Sequence, residues 1–214
     1  MKTVASDVAF TPAVKAIQEQ KGSRPSYARV EQGEGWHTTV TPELAEFLGG
    51  LDMFYLGTAS ASGLPYIQYR GGPSGFLKVL DEHTLGFADF GGNRQYVTVG
   101  NLSENPRSFL FLMDYTNSRR VKVWGTARVV EGDAALEARL RVPVYPGKVE
   151  RAILFTVSAW DVNCQQHIHE RYSRRQVAGA VAGLHKRIAE LEAEVERLRT
   201  HTPPDRHHPP GVPS

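Results

Sequence analysis

Short runs in which apolar and polar residues alternate dominate the middle of the chain, between residues 51 and 163. These runs are rich in β-branched and aromatic residues, as strands are, and they occur at 53–60, 65–70, 76–80, 84–90, 108–115, 119–130 and 150–162. The breaks at 61–63 and 81–83 have the length and polarity of hairpin turns. Six or seven strands in hairpin spacing, without regular alternation with helices, predict a closed or half-closed antiparallel barrel rather than a doubly wound sheet.

Helical patterns flank and interrupt the predicted strands. A short helix is expected after Pro12, and a second one follows Thr41, which is its predicted N-cap and precedes a proline at the first helical position. Within the strand region, one helix is expected from just after Arg94 to near Pro106, and another at about 133–142. The fold class is therefore mainly β, with peripheral helices.

The region 173–200 carries an apolar residue at every third or fourth position. This seam consists of Val177, Val181, Leu184, Ile188, Leu191, Val195 and Leu198. β-branched residues at the a positions and mainly leucine at the d positions favour a parallel two-stranded coiled coil. In that arrangement Arg187 faces Glu192 of a second copy and Glu194 faces Arg199, so both pairs attract. The alternative is an amphipathic helix that lies on its own barrel.

Composition and charge argue against several classes of protein. The 214 residues carry a formal net charge of only +2 at pH 7, without the basic block that is typical of nucleic-acid binders. The one cysteine, Cys164, excludes an internal disulfide and favours a reducing compartment. No run approaches the roughly 18 apolar residues of a membrane span, and the N-terminus lacks the apolar core of a signal peptide. A cytoplasmic location is therefore expected, without contact to a membrane or to nucleic acid.

The segment Gly91–Gln95 is a candidate phosphate site. It follows the predicted strand at 84–90, and a helix is expected to begin there. Glycines allow the backbone to approach a ligand closely, and the start of a helix offers free N–H groups and the positive end of the helix dipole. Arg94 adds a bidentate donor for phosphate oxygens. The alternative is that glycine and arginine serve only turn geometry and solubility.

Four segments, taken in order, resemble the pyridoxamine 5′-phosphate oxidase family. Residues 57–70 resemble a hairpin whose second strand lines the flavin ring, and residues 85–96 resemble a strand end that leads into Gly-Ser-Arg-Lys. Residues 101–115 resemble the following Asn-Pro-Arg and apolar strand, and 121–130 match the next strand. The likeness covers roughly residues 40 to 162.

This resemblance implies an antiparallel six-stranded split β-barrel that binds FMN and works as a homodimer, with each flavin at the subunit interface. The family's phosphate-binding positions fall on Asn93, Arg94 and Gln95. By position in the sequence, the implied cofactor-binding residues are Gln68, Tyr69, Arg70, Gly71, Ala88, Asp89, Gly92, Asn93, Arg94, Gln95 and Arg120. The resemblance assigns no catalytic residue and no metal ligand.

With this resemblance, the chain divides into four predicted regions. Residues 1–40 form an N-terminal arm with a short helix, and residues 41–172 form the FMN-binding split-barrel domain. Residues 173–200 form a C-terminal dimerisation helix that resembles a coiled coil. The Pro- and His-rich tail at 201–214 is expected to be disordered.

The chain departs from the family pattern at the phosphate site and at its C-terminus. Gln95 stands where the family has a lysine, so one charge partner of the phosphate is lost, and Arg70 or Arg120 is the candidate replacement. The C-terminal Trp and Arg–His motif with which the oxidase binds pyridoxal phosphate has no counterpart in this sequence. We therefore expect a relative of the vitamin B6 oxidase rather than that enzyme.

The stretch Cys164, His167 and His169 follows the last predicted strand. Zinc usually takes four ligands, and this cluster has no second pair nearby. A structural turn is thus preferred over a metal site or a redox-active thiol.

The expected activity is transfer of hydride or electrons through bound FMN, with NAD(P)H as the donor. Three alternatives stay open at this point: a non-catalytic flavin sensor or carrier, a split barrel that binds deazaflavin or haem, and a scaffold that only dimerises. No general base stands out near the predicted site, and an FMN-dependent oxidoreductase is the preferred interpretation.

Overall fold

The alternating runs of the sequence form seven strands. The structure, a computed structural model, describes residues 4–33, 35–143, 145–162 and 164–201. The strands are β1 (Met53–Ala59), β2 (Pro65–Gly71), β3 (Lys78–Val79), β4 (Thr84–Phe90), β5 (Arg107–Asp114), β6 (Arg119–Val130) and β7 (Val149–Val162). They pair into one sheet in the order β2-β1-β5-β6-β7-β4-β3, and every neighbouring pair is antiparallel.

The predicted mainly β, antiparallel fold is confirmed, but the expected number of six strands is wrong. The seventh strand is β3, a two-residue strand at the edge of the sheet that pairs only with β4. The sequence predicts a longer strand here, at 76–80. Phe76 and Leu77 are each only 2% exposed because they pack into the core, which leaves two residues to pair with β4.

Helices lie before, between and after the strands. They are a 3₁₀ helix (Ala5–Val8), α1 (Pro12–Gln20), α2 (Arg24–Gln32), α3 (Pro42–Gly50), α4 (Val97–Glu104), α5 (Ala134–Leu140) and α6 (Arg174–His201). The predicted N-cap is confirmed, because the backbone N–H of Leu44 donates to the Thr41 hydroxyl at 3.3 Å. The 3₁₀ helix and α2 were not predicted from the sequence.

The core lies on the inner face of the sheet, beneath α3. Successive residues of a strand point to opposite sides, so alternate residues of β1, β5, β6 and β7 fill it. Its fully buried members include Leu44, Leu48, Phe54, Leu56, Leu110, Leu112, Val121, Val123, Ile153 and Phe155. By the same alternation, the opposite side of β2, β1, β5 and β6, here called the outer face, carries Ile67, Tyr69, Tyr55, Phe109, Phe111, Arg120, Lys122 and Trp124.

The chain divides into two compact units, Met1–Glu170 and Arg171–Ser214. Within the first unit, the predicted N-terminal arm is tied to the sheet. The indole N–H of Trp160 donates to the carbonyl oxygen of Thr39 at 2.7 Å, and the Trp36 ring lies 5.0 Å from the Trp124 ring. The helix predicted at 173–200 is α6, which belongs to the second unit. Residues 202–214, nearly all of the predicted tail, lie outside the described residues.

A glycine at the kink of β6 permits close approach to β7. The register of β6 against β7 shifts between Trp124 and Gly125. A Cβ at position 125 would clash with the backbone oxygen of Thr156 and lie 2.6 Å from the Phe155 ring. We therefore expect Gly125→Ala to lower the free energy of unfolding by about 2 kcal/mol, because overpacking displaces backbone as well as side chains.

Urea denaturation measures this loss, and Gly100→Ala is the matched control. Gly100 lies within α4, and a Cβ there meets no atom within 4 Å. Alanine is favoured over glycine in a helix, so this control is expected to be neutral or stabilising. Equal stability of the two variants would contradict the tight β6–β7 contact.

Candidate cofactor site

A cavity of about 280 Å³ opens where β2, the end of β4, the start of β7 and the first turn of α4 meet. The walls are mainly polar and charged. The lining residues are Tyr66, Gln68, Arg70, Asp89, Phe90, Gly92, Asn93, Arg94, Gln95, Tyr96, Val97, Thr98, Val99, Glu150 and Arg151. Three arginines and two acidic residues thus line one cavity.

A buried ion-pair network forms the inner wall of the cavity. Asp89 is paired with Arg151 in the β4–β7 register, and Arg70 donates to its Oδ1 from β2. The Nε of Arg151 lies 4.0 Å from Asp89 Oδ2, and its Nη2 donates to Glu150 at 2.8 Å. Burial raises the pKa of Asp89, against the lowering effect of the two arginines. A titratable group perturbed in this way inside a cleft marks a candidate functional site.

Two arginine donors in this network lack a hydrogen-bond partner. The Nε atoms of Arg70 and Arg151 are buried and donate no hydrogen bond, although Arg151 Nε lies 3.3 Å from a carboxylate oxygen of Glu131. Buried donors are almost always satisfied in folded proteins. The cavity therefore fits a ligand that is rich in hydrogen-bond acceptors.

The loop between β4 and α4 is a turn and not the start of a helix. Arg94 and Tyr96 have φ angles of 60° and 53°, in the left-handed region, and Asn93 Oδ1 accepts a hydrogen bond from the backbone N–H of Gln95 at 3.2 Å. The predicted helix start just after Arg94 is wrong, since α4 begins at Val97. Short polar side chains and left-handed residues favour turns over helix.

The first turn of α4 forms part of the cavity wall. Tyr96 is the N-cap residue, and its side chain accepts no hydrogen bond from the helix. Val97, Thr98 and Val99 of this turn all line the cavity. An uncapped helix start with the positive end of its dipole at the cavity suits an anionic ligand.

Side-chain contacts at the cavity join α4 and its preceding loop to the sheet. The hydroxyl of Thr98 donates to Gln68 Oε1 on β2 at 2.6 Å. The ring of Tyr96 lies 5.1 Å from the guanidinium of Arg151 on β7. These contacts define the position of the loop over the cavity.

The structure brings most of the predicted cofactor residues together at this cavity. Those that line it are Gln68, Arg70, Asp89, Gly92, Asn93, Arg94 and Gln95. Tyr69 and Gly71 point away from it because β2 alternates. Ala88 packs with Leu140 and Ala152 under α5, and Arg120 lies on the outer face.

Several lining residues were not predicted from the sequence, and Arg151 is the most informative of them. Arg151 lies on the same face of β7 as Ile153, Phe155 and Val157, which fill the core. A charged residue in the buried register of a strand is a signal of a partner inside the fold, and the sequence carried that signal.

The stretch after β7, with Cys164, His167 and His169, forms no metal site among the described residues. Cys164 is exposed, and the part of the chain that the structure describes holds no group of three or more His, Cys, Asp or Glu side chains arranged to bind a metal ion. Among the same residues, no helix combines the length and the apolar character that a membrane crossing requires.

The family model described as pyridoxamine 5′-phosphate oxidase matches residues 40–161, more than half of the chain. The chain belongs to this family. The match extends from just before α3 to the end of β7 and includes every strand that lines the cavity. The seven-stranded sheet is accordingly the split barrel of the pyridoxamine 5′-phosphate oxidase-like proteins. No curated protein matches the sequence significantly.

Solved structures with a similar fold are distant in sequence. A putative pyridoxamine 5′-phosphate oxidase from Lactobacillus delbrueckii is 21% identical with a TM-score of 0.45, over 58% of this chain and 94% of that chain. An FMN-binding protein from Syntrophomonas wolfei is 13% identical with a TM-score of 0.46, over 68% and 97%. An FAD-binding protein from Mycobacterium smegmatis is 15% identical with a TM-score of 0.41, over 59% and 97%.

Proposed function

We propose that this split-barrel protein binds FMN in the cavity between β2, β4 and α4 and acts as an oxidoreductase. The observation that carries the proposal is the convergence of Arg94 and the uncapped start of α4 on one cavity. Arg70 and Arg151, which hold buried donors without a hydrogen-bond partner, line the same cavity. The family match covers all of these elements.

The phosphate is assigned to Arg94 and the first-turn N–H groups of α4. The sequence left Arg70 and Arg120 as candidates to replace the missing lysine. Arg70 is an unsuitable charge partner because Asp89 already neutralises it, and Arg120 lies on the outer face. Arg94 is exposed at the cavity rim, and no carboxylate among the described residues forms an ion pair with it.

The inner wall is assigned to the polar part of the flavin ring and its side chain. Gln68 and Arg70 on β2 and Arg151 on β7 line the cavity together and offer hydrogen-bond donors to it. When bound, FMN supplies the capacity to accept and donate hydride or electrons. The protein's part is to orient the cofactor and to place positive charge beside it.

A homodimer that pairs through the outer face completes this proposal. Ile67 and Tyr69 on edge strand β2 are 70% and 59% exposed, and they adjoin Tyr55 on β1. The Nε of Arg120, on the same face, is buried without a hydrogen-bond partner. Large exposed apolar patches on a soluble domain mark interaction sites, and the family resemblance favours a second copy as the occupant. In such a dimer, Tyr69 and Arg120 are the residues of this face that we assign to the flavin of the other subunit.

The test is a titration of the purified full chain with FMN, with FAD, deazaflavin and haem as separate arms. We expect a yellow FMN complex with saturable quenching of flavin fluorescence. Steady-state oxidation of NAD(P)H by this complex then distinguishes an enzyme from a flavin sensor or carrier. Binding of haem or deazaflavin in preference to FMN, or of none of the four, would overturn the assignment.

A further inference from the structure

Helix α6 carries an apolar seam along its whole length. The helix has 28 residues, or about 42 Å at 1.5 Å per residue. All seven seam side chains are between 41% and 64% exposed: Val177, Val181, Leu184, Ile188, Leu191, Val195 and Leu198. An apolar stripe of this kind on a helix normally packs against another element.

We propose that α6 binds the α6 of a second copy of this chain as a parallel, in-register two-stranded coiled coil. The spacing of the seam is a heptad repeat, with Val181, Ile188 and Val195 at the a positions. The d positions hold leucine after an initial valine, Val177. β-branched residues at the a positions and leucine at the d positions favour a coiled coil of two parallel helices.

Charges beside the seam complement each other in this arrangement. Arg187 lies at a g position of the heptad and faces Glu192, at an e position of the second copy. In the next heptad, Glu194 faces Arg199 of the second copy in the same way. Within a single helix, Arg187 already pairs with Glu190 at 3.2 Å. Exposed ion pairs contribute little to stability, so the contacts between helices select orientation and register more than they hold the dimer together.

Two glycines make the helix dependent on its partner. Gly179 and Gly183 lie on the side away from the seam, and a Cβ at either position meets no atom within 4 Å. Glycine weakens an exposed helix relative to alanine. The first half of α6 therefore gains its order from burial of the seam.

Disulfide crosslinking of the full chain tests the proposal. In a Cys164→Ser background, which removes the chain's one cysteine, Leu198→Cys places a thiol in the seam at the far end of α6. A parallel, in-register coil brings the two thiols together, so we expect most of the protein to run as a disulfide-linked dimer on a non-reducing gel. Ala193→Cys, on the outer side of the helix, is the control and is expected to stay monomeric on that gel.

Two results would overturn this inference. An antiparallel coil, or two unpaired helices, leaves the thiols at position 198 far apart, so Leu198→Cys would crosslink no better than Ala193→Cys. In a second measurement, Leu184→Asp combined with Leu191→Asp is expected to remove most of the helical circular dichroism of α6 while FMN binding persists. Undiminished helicity would mean that the seam does not hold the helix in place.

A separate observation concerns the cavity and rests on the proposed function. Thr98 is only 2% exposed, and its hydroxyl donates to Gln68 Oε1 at 2.6 Å. The side-chain oxygen of Gln68 is thereby occupied. The two N–H donors of its amide are left for the cavity that both residues line. We infer that Thr98 is a positioning residue, which fixes the Gln68 amide as a donor toward an acceptor atom of the flavin.

A double-mutant cycle on FMN affinity tests this role. Thr98→Val keeps the shape of the side chain but removes its donor, so we expect FMN to bind about fivefold more weakly with a shifted visible absorption band. Thr98→Ser keeps the hydroxyl and is expected to restore both. If Thr98 acts through Gln68, then Thr98→Val has no further effect on a Gln68→Ala background.

The outcomes separate this inference from the proposed function. If the unmodified chain does not bind FMN, the proposed function fails. If it binds FMN but Thr98→Val weakens binding equally with and without Gln68, then Thr98 serves only packing and the positioning role is wrong.

Discussion

The Arg94→Ala variant is expected to lose FMN affinity by about 1.5–3 kcal/mol, which is roughly 10- to 150-fold in Kd. Arg94 is the guanidinium at the cavity rim that we assign to the phosphate, and charge-assisted hydrogen bonds to phosphate are among the strongest in proteins. The N–H groups of α4 remain in the variant, so binding is weakened and not abolished. Titration of flavin fluorescence at fixed salt measures the change.

Two further variants separate the effect of the Arg94 charge on FMN affinity from the effect of its backbone conformation. Arg94 has a φ of 60°, and asparagine tolerates this left-handed conformation well. Arg94→Asn should therefore lose as much affinity as Arg94→Ala, without local strain. Arg128→Ala removes an exposed arginine of β6 that is not among the cavity's lining residues and should leave Kd unchanged. Unaltered affinity in both Arg94 variants would remove the phosphate assignment.

The strands were predictable because their signal is local. Alternation of apolar and polar residues predicts each strand, and the turn residues between them predict the hairpins. Thr41 likewise marks the start of α3, because its hydroxyl caps the helix. Helix α2 was missed although it has a proline in its first turn and Gly33 at its end. The Ser23 side chain makes no capping hydrogen bond, and the sequence of the helix, RPSYARVEQ, shows little apolar periodicity. Boundary residues alone therefore do not identify a helix that lacks an apolar face.

The residues that line the cavity were predictable in part from the sequence. Transfer of consecutive residues from a family pattern treats β2 as one contact surface, whereas its side chains alternate between the cavity and the outer face. Gln68 and Arg70 line the cavity for this reason, while Tyr69 and Gly71 do not. The charge of Arg151 in the buried register of β7 is a local signal of a buried partner, but the identity of that partner, Asp89, depends on the β4–β7 register.

The largest effect on stability is expected from Asp89→Ala, at about 3–5 kcal/mol of the free energy of unfolding. The Asp89 side chain is only 9% exposed and pairs with Arg70, whose side chain is 12% exposed. Removing the carboxylate leaves the Arg70 charge inside the protein without a counter-ion, and Arg151 loses one of the carboxylates around it. Removing one partner from a buried pair costs far more than the net contribution of the intact pair.

Asp161→Ala is the matched control, since Asp161 lies on β7 and pairs with Lys122 at 3.6 Å with both side chains about one-quarter exposed. Water screens this pair, so its loss should cost no more than about 1 kcal/mol. Asp89→Asn keeps the size of the side chain and one acceptor for Arg70, and it should fall between the two variants. Urea denaturation at pH 7 ranks the three. If Asp89→Ala proves no less stable than Asp161→Ala, the Arg70–Asp89–Arg151 network is not the buried frame of the cavity, and Arg70 becomes available as a second charge partner for the phosphate.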